Sequence, residues 1–216
     1  MVEDVEASYD CVAETYARRC FHEFDHKPFD REVLDRFAEH VRRRGPVCDL
    51  GCGPGEVARY LHARGVENIL GIDISPAMVA QARRLNPSLA FRQGDMLELE
   101  VEDDSWSGIA AFYSIIHIPR ERIADALREM RRVLEPGGLL LLTFHIGQEV
   151  VHLEKWWGHE VSLNFFYFET EDMIANLERG GFEIDLVLER DPYQDVEAPT
   201  RRAYVFATNS EKEKRR

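Results

Sequence analysis

Positive charge is scarce in this chain of 216 residues: 27 lysines and arginines stand against 40 aspartates and glutamates, a net charge of -13 with the histidines neutral. That balance repels a phosphate backbone, so tight binding of RNA or DNA needs a local basic patch that the composition does not advertise. No nucleic-acid partner is expected. Long apolar runs are absent as well: no stretch approaches the ~18 residues of a membrane span. The amino end, MVEDVEASYD, is acidic where a secretory signal is basic. The expected setting is cytoplasmic, without membrane association. Cysteine is sparse, and Cys11, Cys20, Cys48 and Cys52 show neither CxxC spacing nor a matching histidine cluster. Neither a zinc site nor another metal is expected, and the thiols read as reduced, small apolar side chains. Repeats and low-complexity linkers are missing too, and the length suits one domain with a sizeable core.

The first fifth of the chain reads as two helices. Val5, Tyr9, Val12 and Tyr16 fall at helical spacing, and so do Phe29, Val33, Phe37 and Val41 behind Pro28, a residue suited to a first turn. Arg42, Arg43 and Arg44 before Gly45 complement a helix C-terminus.

From Pro46 onward, short apolar runs alternate with amphipathic segments. VCDLG, ILGIDIS, LAFRQGD, SGIAAFYSI and GLLLLTFHI read as five strands. Helices are expected from Glu56 to Arg64, over PAMVAQARRL with Ser75 as N-cap and Pro76 first, and along Ile123, Leu127, Met130 and Leu134. After an aromatic insertion, Thr170 is expected to cap a helix ending at Gly180 and Gly181. FEIDLVLER and RRAYVFATN close the pattern. Continuous apolar strands separated by helices mean an α/β fold with a mostly parallel sheet covered on both faces. The last two strands, joined without a helix, are expected as an antiparallel hairpin at the sheet edge, giving seven strands in all.

Within VCDLGCGPGEVARYLHARG, Gly51, Gly53 and Gly55 interrupt an apolar strand just before a helix. Ligands of open parallel sheets bind at the carboxyl ends of the strands, where strand order reverses. Glycines there let the chain turn tightly and let a ligand lie against the backbone. A dinucleotide GxGxxG is the first alternative, yet Glu56 occupies the place of its last glycine, and a carboxylate there repels a pyrophosphate. A P-loop fails because no GK[ST] follows. Asp49, two residues before the first glycine, also suits a cation better than a phosphate. The turn fits a nucleoside that lacks phosphates and carries positive charge.

These residues resemble a class I S-adenosylmethionine-dependent methyltransferase, closely over 47–144 and in outline beyond. DLGCGPGEVARYL resembles the first motif, which implies Asp49 near the methionine amino group and Gly51, Gly53 and Gly55 beneath the cofactor. GIDISPAMVAQA resembles the second, which implies that Asp73 accepts hydrogen bonds from both ribose hydroxyls, with Ile74 beside it. GDML resembles the third, with Asp95 at the adenine amino group and Met96 against the ring. LEPGGLLLLTF is like the family's later turn and strand. The resemblance implies a Rossmann-like doubly wound fold and a single domain over 1–210. That domain divides into an N-terminal helical cap (1–45), a cofactor-binding half (46–146), an aromatic lid (147–169) and a C-terminal helix with a strand hairpin (170–210), before a frayed tail (211–216). It also implies S-adenosylmethionine as cofactor, S-adenosylhomocysteine as product, and a small-molecule acceptor. A tRNA or protein methyltransferase and a non-catalytic cofactor-binding subunit are the alternatives. The NPPY-type sequence of amino-methylating DNA and protein enzymes is missing after the fourth strand, where FYSI stands.

One ionised carboxylate can accept both protons of a vicinal diol, and charge-assisted bonds are the strong ones. Asp73 has capping the Ser75 helix as its alternative role, Asp95 a turn, and Met78 and Met96 plain core packing. Substrate contacts are expected where strands four and five end, at Tyr113, Ser114, His117 and His145, and on a lid formed by the first helix, with Tyr9 and Tyr16, and by the insertion from Trp156 to Phe168. Tyr16 either touches the methionine end of the cofactor or packs in the core. His117 and His145 are each either a general base or a structural histidine. Arg201 and Arg202 flank a strand and are expected as exposed edge charges, with pairing to an acidic substrate as the alternative. The acceptor atom and the oligomeric state are not fixed by the sequence.

Overall fold

The computed structural model describes residues 4–194 and 196–210. Its helices begin where local chemistry satisfies their free amides. The side chain of Asp4 accepts from Ala7 N at 3.0 Å to open α1 (Val5–Cys20), and Pro28 stands first in α2 (Pro28–Val41). The Ser75 hydroxyl accepts from Met78 N at 3.0 Å at the head of α4 (Pro76–Leu85). Thr170 departs from expectation. It is the first residue of α6 (Thr170–Arg179) and not its cap; Glu169 holds that position without a side-chain bond, and the Thr170 hydroxyl donates to Glu189 Oε1 at 2.6 Å.

Seven strands form one sheet: β1 (Val47–Leu50), β2 (Ile69–Asp73), β3 (Ala90–Gln93), β4 (Trp106–Phe112), β5 (Leu134–His145), β8 (Phe182–Arg190) and β9 (Arg202–Asn209). Their order is β3-β2-β1-β4-β5-β9-β8. The first five run parallel, and β9 lies antiparallel between β5 and β8. Strand order therefore reverses at β1, with β2 on one side and β4 on the other, and the crevice above this pair is the ligand position of such sheets. The leucine run of β5 explains itself in this setting. Leu139 and Leu141 pack with α2, α3 (Glu56–Ala63) and α4 on one face, while Leu140, Leu142 and Phe144 pack with α5 (Ile123–Val133) and α6 on the other. A strand buried on both faces cannot alternate in polarity.

The segment expected to be a lid without sheet structure has its own. β6 (Val150–Trp156) and β7 (His159–Phe166) pair antiparallel as a separate hairpin, turning through Trp157 at φ +51° and Gly158 at φ +89°. Val161 and Leu163 press on Val12 and Ala13 of α1, whereas Val150, Val151 and His152 face solvent. That thin, one-sided burial is why VVHLEKW carries no clear strand signal. Strand five also starts four residues early, at Leu134, crossing LEPGG through a register shift opposite Trp106 and Gly108. The expected tail 211–216 lies outside the described residues.

Candidate active site

At Gly51 the backbone has φ +76°, and a Cβ built there would lie 2.2 Å from Cβ of Ser114. The turn after β1 and the residue leaving β4 approach so closely that no side chain fits, and Ser114 Oγ donates to Leu50 O at 2.6 Å across the gap. Gly53 is also left-handed, φ +51°, and its N–H donates to Asp73 Oδ2 at 2.8 Å. Asp73 Oδ1 accepts from Ser75 N at 2.9 Å. Both carboxylate oxygens are thus oriented by one backbone bond each and keep lone pairs for a ligand. Burial pushes this carboxyl up to about 6, against the pull of those two bonds.

These residues line one cavity of about 520 Å³, a size suited to an organic ligand. The structure brings to its wall Tyr16, Gly51, Gly53, Asp73, Ile74, Asp95, Met96, Tyr113, Ser114, His117 and His145. Asp95 is exposed at the rim, its Oδ1 accepting from Leu97 N at 2.8 Å. Three residues expected at the cofactor lie off the wall. Met78 is fully buried among Val12, Ala13, Val161 and Leu163. Gly55 is needed beneath the turn, where a Cβ would meet Asn86 and Phe91 at 2.8 Å. Asp49 lies buried below the turn, and its Oδ2 accepts from Ala58 N at 2.9 Å in the first turn of α3. Burial drives the Asp49 carboxyl up to about 8. Arg202, expected as an exposed edge charge, is instead 3% exposed and lines the cavity; Arg201 does stand in solvent, paired with Glu189 at 2.7 Å.

Glu56 occupies the place that Asp49 does not. It opens α3, is 7% exposed, and lines the cavity. Its Oε2 is one of two buried side-chain oxygens among the described residues without a hydrogen-bond partner. Burial raises its pKa well above the ordinary carboxylate value. Glu56 Oε2 and Tyr16 Cε1 both lie 3.9 Å from where a Gly53 Cβ would stand, so the orphan carboxyl and the aromatic ring meet over bare backbone.

The roof is α1 and the β6–β7 hairpin. Tyr16 packs edge-on against Trp156 and Trp157, with centroids 5.7 and 5.9 Å away, and Tyr9 against Trp156 at 5.9 Å. Tyr9 also reaches His117, 2.6 Å from hydroxyl to Nε2. The other ring nitrogen, Nδ1, lies 2.9 Å from Asn164 O. A carbonyl only accepts, so Nδ1 carries the proton and Nε2 receives the Tyr9 hydroxyl. Burial lowers the His117 pKa to about 4. His145 is held by Thr200 Oγ1 at 2.8 Å, and burial together with the Arg202 charge lowers it to about 3.

Sequence reasoning missed the charged floor beside these rings. Glu197 binds Arg190 and Tyr193 N, and lies 3.2 Å from Arg202 and 3.6 Å from Lys27; Lys27 also meets Glu23 at 2.8 Å, and Arg190 meets Asp30 at 3.0 Å. Three cations and three carboxylates compensate one another, as burial requires. The members come from α2, its approach, and both sides of the β8–β9 connection, so no local pattern announces them.

Comparison with known proteins gives this geometry a context. A family model described as a methyltransferase domain matches residues 47–138. The chain is 30% identical over 152 residues to the malonyl-[acyl-carrier protein] O-methyltransferase of Enterobacter lignolyticus, covering 68% of this chain and 58% of that one. It is 30% identical over 149 residues to the phosphatidylethanolamine N-methyltransferase of Cereibacter sphaeroides, covering 65% of this chain and 70% of that one. Among solved structures, a SAM-dependent methyltransferase from Methanosarcina mazei superposes with a TM-score of 0.71 at 17% identity, over 81% of this chain and 96% of that one.

Proposed function

The chain belongs to the class I S-adenosylmethionine-dependent methyltransferases, and on that premise we propose that its acceptor is a small organic molecule held under the α1 and hairpin roof. When bound, S-adenosylmethionine supplies a methyl group activated by positive sulfur. The residues on the wall fit such a group: two left-handed glycines leave backbone bare, Asp73 presents oriented acceptors, and Glu56 presents a buried carboxyl without a partner. In this reading Asp73 takes the ribose hydroxyls, Asp95 and Met96 the adenine, and Gly51, Gly53 and Ile74 the underside of the nucleoside. Tyr16 and Tyr113 flank the methionine end, and Glu56 takes its ammonium in place of Asp49.

The carrying observation is the enclosure. One cavity of about 520 Å³ holds both the glycine turn and the aromatic roof, which supports an acceptor of metabolite size. Positioning is the main catalytic task, and holding the acceptor atom about 3 Å from the reacting carbon can lower a barrier by roughly 7 to 11 kcal/mol. The relatives do not choose the acceptor atom, since one is named for oxygen and another for nitrogen. The test is incubation with methyl-labelled S-adenosylmethionine and a metabolite extract. Label in a small product is expected; label in protein or tRNA, or in nothing while the cofactor binds, would overturn the reading.

A further inference from the structure

We propose, resting on the methyltransferase reading above, that the acceptor atom is the nitrogen of an organic amine, received between the aromatic roof and the carboxylate-rich wall of the cavity.

Three independent features converge on this class. The first is the absence of a free counter-cation. Among the described residues the cavity wall carries two cationic side chains, Lys27 and Arg202, and both are already held, Lys27 by Glu23 at 2.8 Å and Arg202 by Glu197 at 3.2 Å. The same wall carries five carboxyl groups, Glu23, Glu56, Asp73, Asp95 and Glu197, and even with Glu56 given to the cofactor's ammonium, carboxyls outnumber lysine and arginine there. The cofactor, with two cationic groups and one anionic, brings a single net positive charge. A carboxylate or phosphate acceptor entering this wall would be desolvated against like charge, with no uncommitted lysine or arginine to pair with.

The second feature is that the histidine within the aromatic roof is not free to act as a base. A hydroxyl or an acidic carbon must lose a proton as it is methylated, and a base positioned to take it contributes much of the rate. His117, which packs against Tyr9 and Phe165, has both nitrogens engaged, Nδ1 on Asn164 O and Nε2 on the Tyr9 hydroxyl, while His145, held at Nδ1 by Thr200, stacks on Tyr113 and Tyr167 away from that cluster. An amine needs no such partner, because its conjugate acid releases a proton to water before the transfer.

The third feature is the direction of charge movement. The amine nitrogen donates its lone pair to the methyl carbon while the electrons of the carbon–sulfur bond return to sulfur. Positive charge leaves sulfur and reappears on nitrogen, and the methylated ammonium then loses a proton to water. Tyr9, Tyr16, Trp156 and Phe165 share one aromatic cluster on the wall. Aromatic faces attract a cation, most strongly where water is excluded, and carboxylates do the same. The site therefore stabilises the charge that an amine develops. With a carboxylate acceptor that charge is cancelled instead, and the wall gives no advantage.

A matched series of 2-phenylethylamine, 2-phenylethanol and phenylacetate, and the smaller series ethanolamine, ethylene glycol and glycolate, separates the classes. Binding is read as the thermal midpoint of the protein saturated with S-adenosylhomocysteine, and transfer as label moved from methyl-labelled S-adenosylmethionine. Amines are expected to raise the midpoint and to gain label as N-methyl products, the alcohols and acids to do neither. Trp156→Leu is expected to weaken amine binding at least fivefold, and by a larger factor than it weakens S-adenosylhomocysteine binding. A stronger response to an acid or alcohol, no response to either amine, or amine binding that ignores Trp156→Leu would overturn the proposal. Failure of the wild-type protein to bind S-adenosylhomocysteine at all would instead remove the methyltransferase reading beneath it.

Discussion

Asp73 shows how much a single side chain can be asked to do. Its two oxygens each accept one backbone N–H, from Gly53 and Ser75, so the carboxylate is aimed before any ligand arrives. Asp73→Asn keeps an acceptor for the backbone but loses one for the ribose, and the dissociation constant for S-adenosylhomocysteine should rise tenfold or more, about 1.4 kcal/mol by calorimetry; an unchanged constant would remove Asp73 from the cofactor site. Asp49 gives a different signature. Its ordinary value is 3.8 and burial lifts it to about 8, so between those values the folded chain holds a proton that the unfolded chain has released. Stability therefore falls as pH rises through that window. His117 and His145, lowered to about 4 and about 3, act in the opposite sense, their share growing as pH rises toward 6.5. Below 6.5 the two effects oppose; above it the raised carboxyls, Asp49 together with Glu56, dominate. The melting temperature of the ligand-free protein should drop between pH 6.5 and 8, and drop less in Asp49→Asn. The same pair marks what was legible in the sequence. Both aspartates stand near strand ends in recognisable motifs, and the pairing of Asp49 with Gly71 puts them on the same face of the sheet. Asp73 ends β2 two residues further on and reaches the cavity, whereas Asp49 lies below the turn on Ala58 N, and a motif states spacing without stating that depth.

At the level of elements, the glycine turn and the head of α4 are the joints that set the crevice. Gly51→Ala must accommodate φ +76° and a contact of 2.2 Å with Ser114. It should cost more than about 1 kcal/mol of stability in denaturant titration and abolish measurable cofactor binding; a variant as stable as wild type would contradict the close approach. Asp10, from α1, accepts from Ser75 Oγ at 2.5 Å and from Ala77 N at 3.0 Å, so a distant helix helps to cap α4. Asp10→Ala should lose about 1 kcal/mol and loosen α1 from α4, read as faster amide exchange in α1 than in the sheet. The main elements were legible because each has a strong period or a strong cap, such as Ser75 and Pro76. The β6–β7 hairpin was not, because most of β6 is exposed and its partner face is built by α1, more than a hundred residues earlier. Thr170 was misread because its hydroxyl finds Glu189, a neighbour that only the tertiary fold supplies.

Taken as a whole, the molecule is a rigid sheet with its chemistry at the switch point beside β1, covered by two elements that belong to no part of that sheet. The sheet half is readable in sequence since its motifs are short and local. The cover is not, since it is assembled from α1, the hairpin and the buried charges around Glu197, which lie far apart in the chain. The central claim is that the bare turn at Gly51 and Gly53, the Asp73 carboxylate and the Glu56 carboxyl together receive an adenosyl group bearing cations and no phosphate. Calorimetric titration with S-adenosylhomocysteine and, in parallel, with NAD tests this most directly. Saturable binding of the first at one site per chain, with no heat from the second, is the expected result; silence from S-adenosylhomocysteine, or occupation of the crevice by NAD, would contradict the account.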